Sequence, residues 1–251
     1  MIELSLNEPA GVLVKTTCVD FPGRVAGSFF LKGCNLRCPY CYNTELVLGN
    51  KNEETSSLNT IQELFSHLEK RQGILSGLVI SGGEPLLNPY TPLIIKKAKS
   101  LDYKIKLDTN GTLPNELEYF VQNPELCPDF IAMDLKTSPQ KYASILCNPK
   151  SKFYNNEEYF FNNLKKSIQI ISNFPQENRE WRTVLVPDLV TKEDIQIMAK
   201  MLPSDAIWQF AQFQGGNCID SSYNSLTPYT DAQLNELVDY AKTFISSSFL
   251  R

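Results

Sequence analysis

Six short runs rich in β-branched and aromatic residues alternate along this chain with six longer runs of helical periodicity, and no other feature limits the fold so tightly. The strand-like runs fall at residues 25–31, 78–81, 104–109, 130–136, 183–187 and 207–213. The helical runs lie at 60–70, 91–100, 115–122, 157–172, 192–201 and 231–245. In the first of them Ile61, Leu64, Phe65 and Leu68 recur at the period that gives a helix one apolar face. Thr191, with Glu193 and Asp194 behind it, and Thr230, before Asp231, read as N-caps of the last two helices. Such alternation predicts parallel βα units, a sheet covered by helices, and right-handed crossovers. The sheet is then either curved and barrel-like or open and doubly wound, and both gather their chemistry at the carboxyl ends of the strands.

Composition narrows the function classes. With 251 residues, 42% hydrophobic and 21% charged, the chain can bury one substantial core. There is no internal repeat and no low-complexity tract. A net charge of −4 argues against nucleic acid as the main partner, since phosphate binding needs clustered Lys and Arg. The apolar run 25–31 is too short to span a bilayer, and residues 1–10 carry two acids and no basic n-region. The expectation is a cytoplasmic protein with no membrane partner. One histidine, His67, weighs against a Ser-His-Asp hydrolase or a His-rich zinc enzyme. Seven cysteines without a secretory signal favour metal ligation or catalysis over a disulfide framework.

The unusual residues sit where the strands end. The first strand runs into Gly33-Cys34-Asn35-Leu36-Arg37-Cys38-Pro39-Tyr40-Cys41, the second into Ser81-Gly82-Gly83-Glu84-Pro85. The third ends Asp108-Thr109-Asn110-Gly111, the fourth Asp134-Leu135-Lys136, and the fifth begins Trp181-Arg182. Asp134 and Lys136 alternate onto one strand face, and a charge pair in a barrel mouth is costly unless paired or liganded.

Cys34, Cys38 and Cys41 form C-x3-C-x2-C. A structural zinc site wants four closed ligands, and only Cys18 could fold in as a fourth. A [4Fe–4S] cluster suits cysteine better, and three ligands for four irons leave one metal position open to substrate. Three buried structural thiols are the bland third reading. Cys18, Cys127, Cys147 and Cys218 have no paired spacing and read as small hydrophobes, so no second cluster is expected. The segment 46–58 is short and polar, and His67 reads as a boundary residue on its helix.

The cysteine run, with its aromatic Tyr40 just before the third Cys, resembles the signature of radical S-adenosylmethionine (SAM) enzymes. Val19-Asp20-Phe21-Pro22-Gly23-Arg24 ahead of it is similar to the lead-in of the activating enzymes for glycyl-radical proteins. The likeness is greatest to the activating protein of anaerobic ribonucleoside-triphosphate reductase. Ser81–Pro85, Asp108–Gly111 and Asp134–Lys136 match that group in order and spacing.

The resemblance implies an incomplete parallel (β/α)6 TIM-like barrel filling one domain of residues 1–251, with an N-terminal extension 1–23, a core 24–214 and a helical segment 215–251. It implies that Cys34, Cys38 and Cys41 hold a [4Fe–4S] cluster whose open iron chelates S-adenosyl-L-methionine, which a single electron splits into methionine and a 5′-deoxyadenosyl radical. Gly82 and Gly83 then meet the methionine ammonium through backbone that a Cβ would block, unless they are only a tight turn. Tyr40 stands beside the adenine or merely packs in the core. Glu84 is a local acceptor or an exposed helix-start carboxylate. Asp108, Thr109 and Asn110 hold the ribose hydroxyls or the cofactor carboxylate, or form an Asx-type turn finished by Gly111.

Asp134 and Lys136 bind the cofactor or form a plain ion pair, and Asp108 with Asp134 are candidates to place a monovalent cation. Arg182 contacts the cofactor carboxylate or makes a surface salt bridge. The implied partners are a glycyl-radical protein, first of all an anaerobic ribonucleotide reductase, facing the run 210–216, and a flavodoxin- or ferredoxin-type reductant. One departure concerns the partner: Tyr42 stands where these enzymes usually carry His after the third Cys. The alternatives are a radical reaction on a purine-derived small molecule or a peptide, and a non-catalytic iron–sulfur or zinc module.

Overall fold

All six strand-like runs of the sequence form strands. The computed structural model describes residues 4–49 and 58–251, so residues 1–3 and the middle of the polar segment 46–58 lie outside the described residues. The strands are β1 Pro9–Thr17, β2 Ala26–Leu31, β3 Asn59–Thr60, β4 Gly77–Gly82, β5 Lys104–Thr109, β6 Phe130–Asp134, β7 Arg179–Leu185, β8 Trp208–Gln212 and β9 Ser248–Leu250. The helices are α1 Thr44–Leu48, α2 Ile61–Arg71, α3 Thr91–Ser100, α4 Pro114–Gln122, α5 Pro139–Lys141, α6 Glu157–Ser172, α7 Lys192–Ala199 and α8 Asp231–Lys242. The strand order is β3-β1-β2-β4-β5-β6-β7-β8-β9. Its middle six members are the strands expected from the sequence, which gives the partial-barrel α/β class.

The chain divides into two compact units. One comprises Met1–Cys34, Glu45–Thr109 and Asn115–Ile131, the other Asn35–Thr44, Asn110–Pro114 and Ala132–Arg251. In the first, β2 pairs parallel with β4 and β4 with β5, while β1 runs antiparallel to both β2 and β3. Thr60 and Glu63 close a capping box at the start of α2, whose Ile61, Leu64, Phe65 and Leu68 are buried as the periodicity required. Phe21, from the run 19–24, lies 5.9 Å edge-on from Phe130 and fills the space a side chain at Gly77 would take, where a Cβ would stand 2.7 Å from its ring. Asp20 accepts a 2.7 Å hydrogen bond from the buried Ser28 hydroxyl. The lead-in segment is therefore anchored by Phe21 and Asp20, while Val19, Pro22 and Gly23 stay exposed.

In the second unit β7, β8 and β9 are parallel neighbours. Capping boxes at Thr191/Asp194 and Thr230/Gln233 start α7 and α8, although both helices end earlier than their periodicity suggested. β7 begins at Arg179 rather than 183, because Arg179 and Glu180 are charged yet buried. β6 ends at Asp134, so Lys136 lies beyond the strand. Among the described residues no helix is long and apolar enough to cross a membrane.

Candidate active site

In the first unit the glycines are set by the end of β2. The Gly83 amide donates to the Leu31 carbonyl and the Glu84 amide to the Gly33 carbonyl, both at 2.8 Å. Gly82 has a φ of +115°, and a Cβ on Gly83 would lie 2.0 Å from the Gly33 oxygen and 3.2 Å from Cβ of Cys34. The pair thus lets the first cysteine lie directly against the end of β4. Glu84 is fully buried: its Oε1 caps the turn Pro85–Leu87 through the Leu86 amide at 3.1 Å and accepts the Thr109 hydroxyl at 2.9 Å. This corrects the exposed helix-start reading of Glu84. Asp108 Oδ1 takes the Lys106 ammonium at 2.7 Å, and that ammonium, 1% exposed, stands 5.8 Å over the Phe130 ring. Lys106 was missed by the sequence reading, though its place two residues before Asp108 puts both on one strand face.

The second unit holds the rest of the cysteine loop. Asn110 forms the Asx-type turn, its Oδ1 accepting the Thr112 amide at 2.9 Å and the Thr112 hydroxyl at 2.6 Å. Its amide nitrogen donates to Asn35 Oδ1 at 2.9 Å, and Asn35 donates to Thr112 at 2.7 Å. Cys38 and Tyr40 are buried, and Cys41 is half-buried. The loop is held by hydrogen bonds from the Arg37 amide to Leu146 at 2.7 Å, from Ile219 to Cys41 at 3.0 Å and from Asp220 to Pro39 at 2.9 Å. Cys218 and Cys147, both buried, flank it in this way. In the run 210–216, Phe210 and Phe213 turn into the core, Ala211 is half-buried, and the glutamines and glycines are exposed.

Around this loop the charges are arranged tightly. Asp134 Oδ1 takes Nε and a terminal nitrogen of Arg182 at 2.8 Å, and its Oδ2 takes the Lys136 ammonium at 3.2 Å. Burial alone would push the Asp134 carboxyl up, but Arg182 and Lys136 hold it at about 2. Burial works against the Lys136 charge, yet Asp134, Tyr40 and Cys38 raise its pKa well above the usual value. Burial likewise raises the Tyr40 phenol, opposed by Lys136. Asp134 is thus flanked by two cations, Arg182 and Lys136.

All seven cysteines are thiols. Among the described residues no three His, Cys, Asp or Glu side chains stand ready to grip one ion. Asp108 and Asp134 each already have a side-chain cation, which supplies the charge a monovalent ion would bring. The donor set of residues 34–41, three thiols with glycine backbone cleared beside the first, fits a thiolate-held iron–sulfur cluster.

A sequence model of the radical SAM superfamily matches residues 28–202, well over half of the chain. A protein of Methanocaldococcus jannaschii, provisionally named a glycyl-radical enzyme activating enzyme, is 29% identical over 243 residues, covering 95% of this chain and 94% of the relative. The 7-carboxy-7-deazaguanine synthase of Aquifex aeolicus is 31% identical over 175 residues, 68% of this chain and 72% of the relative. Among solved structures, Streptococcus suis SuiB bound to S-adenosylmethionine superposes with a TM-score of 0.54 at 17% identity, covering 87% of this chain and 47% of its own. That likeness is one of fold.

Proposed function

The chain belongs to the radical SAM superfamily, and we propose that it is an activating enzyme that installs a glycyl radical on a partner protein, an anaerobic ribonucleotide reductase first of all. The observation that supports this most is the similarity to the Methanocaldococcus jannaschii relative, which runs through 95% of the chain. When bound, a [4Fe–4S] cluster and S-adenosyl-L-methionine supply one-electron cleavage to a 5′-deoxyadenosyl radical that abstracts hydrogen. In this reading Cys34, Cys38 and Cys41 hold the cluster. Gly82 and Gly83 admit the methionine ammonium to backbone, and Lys136 with Arg182 receive the carboxylate. Tyr40 lines the adenine, while Asp108, Thr109 and Asn110 address the ribose from positions fixed by Lys106, Glu84 and Thr112. No cation is assigned to Asp108 or Asp134. A flavodoxin- or ferredoxin-type protein supplies the electron, and the residues of 1–251 act as one radical SAM domain in the cytoplasm.

A second reading, turnover of a purine-derived small molecule, is favoured by the 31% identity to the deazaguanine synthase. One experiment separates the two. The protein is reconstituted anaerobically with iron and sulfide, reduced, and given S-adenosylmethionine, with Cys38→Ala as control and 5′-deoxyadenosine as readout. Adding the reductase should produce a glycyl doublet in electron paramagnetic resonance. Cofactor cleavage without that doublet, but stimulated by a small molecule, would transfer the assignment to the second reading.

A further inference from the structure

Tyr142 opens a π-helical turn, Tyr142–Leu146, in which the Cys147 amide reaches back five residues to the Tyr142 carbonyl at 2.8 Å. The phenol of Tyr142 is completely buried. It donates to the Asp134 carbonyl at 3.0 Å and accepts the Lys136 amide at 2.9 Å, so one oxygen ties the backbone on either side of Leu135. At the other end of the turn, Leu146 accepts the Arg37 amide at 2.7 Å and Cys147 bridges to Leu36. Arg37 lies between Cys34 and Cys38.

We infer that this π-turn mechanically couples the end of β6 to the cysteine loop, with Tyr142 as its positioning residue. Resting on the functional reading above, the coupling fixes Lys136 and Asp134 relative to Cys38, so that cofactor contacts and cluster ligands move as one. Two observations carry it. A π-turn holds one residue more than the α-helical form, and such turns recur at functional sites. Both of its ends, besides packing in the core, bond backbone of the segments that carry the candidate site residues. A packed element with two anchored ends transmits displacement, because tight interiors do not deform continuously.

Tyr142→Phe keeps the ring, its contact with Phe160 and the fold, and deletes only the oxygen. Amide hydrogen exchange on the full chain should then quicken at Lys136 and, through the turn, at Arg37. In the reconstituted enzyme the KM for S-adenosylmethionine should rise about three- to tenfold, the worth of one buried hydrogen bond, with kcat little changed. Exchange confined to residues 134–136, or an unchanged KM in an active enzyme, overturns the inference. A wild-type protein that never cleaves S-adenosylmethionine would refute the functional reading instead, and the exchange at Arg37 would alone decide the coupling.

Discussion

Arg182 grips Asp134 with two nitrogens on a single carboxylate oxygen, each at 2.8 Å, leaving the second oxygen to Lys136. The arrangement sets a pH dependence. The Asp134 carboxyl titrates at about 2 in the fold, against about 3.9 in an unfolded chain. The unfolded state therefore takes up the proton first, so stability rises with pH across this window. The contribution is complete above about pH 4 and is lost as the pH falls through the folded value. Asp134→Asn is expected to lower the urea midpoint at neutral pH and to flatten its fall under acid. A wild-type and variant pair with parallel acid profiles would show that the ion pair adds nothing.

Lys106 and Asp108 form a deeply buried ion pair in the first unit, and burial makes its two halves unequal to the whole. Lys106→Met retains the volume but leaves a carboxylate without its 2.7 Å partner. Breaking one side of such a pair costs about 3–5 kcal/mol, whereas replacing both by apolar groups can be close to neutral. The double variant Lys106→Met, Asp108→Leu should thus be more stable than Lys106→Met alone. Denaturant midpoints of the two variants measure the difference directly. If Asp108 also addresses the ribose, the double variant will regain stability without regaining cofactor affinity.

What could be read beforehand follows from how the residues are buried. β2 and β4 are covered on both faces and so announce themselves as apolar runs, whereas β5, KIKLDT, shows only the alternation of Ile105 and Leu107 with charged residues. β1 is half exposed and holds Pro9 and Gly11, and β9 is three residues long, so neither carries a strand pattern. The cysteine motif is legible because its spacing is local. The Asn110–Asn35 bond spans 75 residues and the Thr109–Glu84 bond 25, and no local pattern encodes a partner at that range. The buried state of Glu84 was hidden for the same reason, since a Glu before Pro looks like an ordinary helix start. Tyr142 gave no signal whatever, because its role is to bond backbone.

Glu84 offers a test of which atom matters. The bonds from the Leu86 amide and the Thr109 hydroxyl share Oε1. Glu84→Gln retains one carbonyl oxygen able to accept both, while Glu84→Ala removes the acceptor. The alanine variant should lose about 1–3 kcal/mol, the penalty for stranding buried donors. The glutamine variant should recover most of that in a urea titration. Equal losses would mean that the negative charge of Glu84, rather than its oxygen, supports the turn.

Gly83 links backbone packing to cluster assembly. Its φ is not in the left-handed region, so alanine there is opposed by space alone. An added Cβ would stand 2.0 Å from the Gly33 oxygen and 2.6 Å from its carbon, both main-chain atoms. Gly33 cannot retreat cheaply, since its amide donates to Leu46 and its carbonyl accepts from Glu84, each at 2.8 Å. The strain must pass to the next residue, which is Cys34. Gly83→Ala is therefore expected to cost about 1–3 kcal/mol through overpacking and to lower the iron bound per chain after reconstitution. Gly23→Ala is the control: its φ is +69° and nothing lies within 4 Å of the added carbon, so it strains the backbone without touching the cysteine loop. It should cost about 1 kcal/mol and leave iron content unchanged. If both variants take up iron as the wild type does, Cys34 is not held in place by Gly83, and the glycine pair is a turn and nothing more.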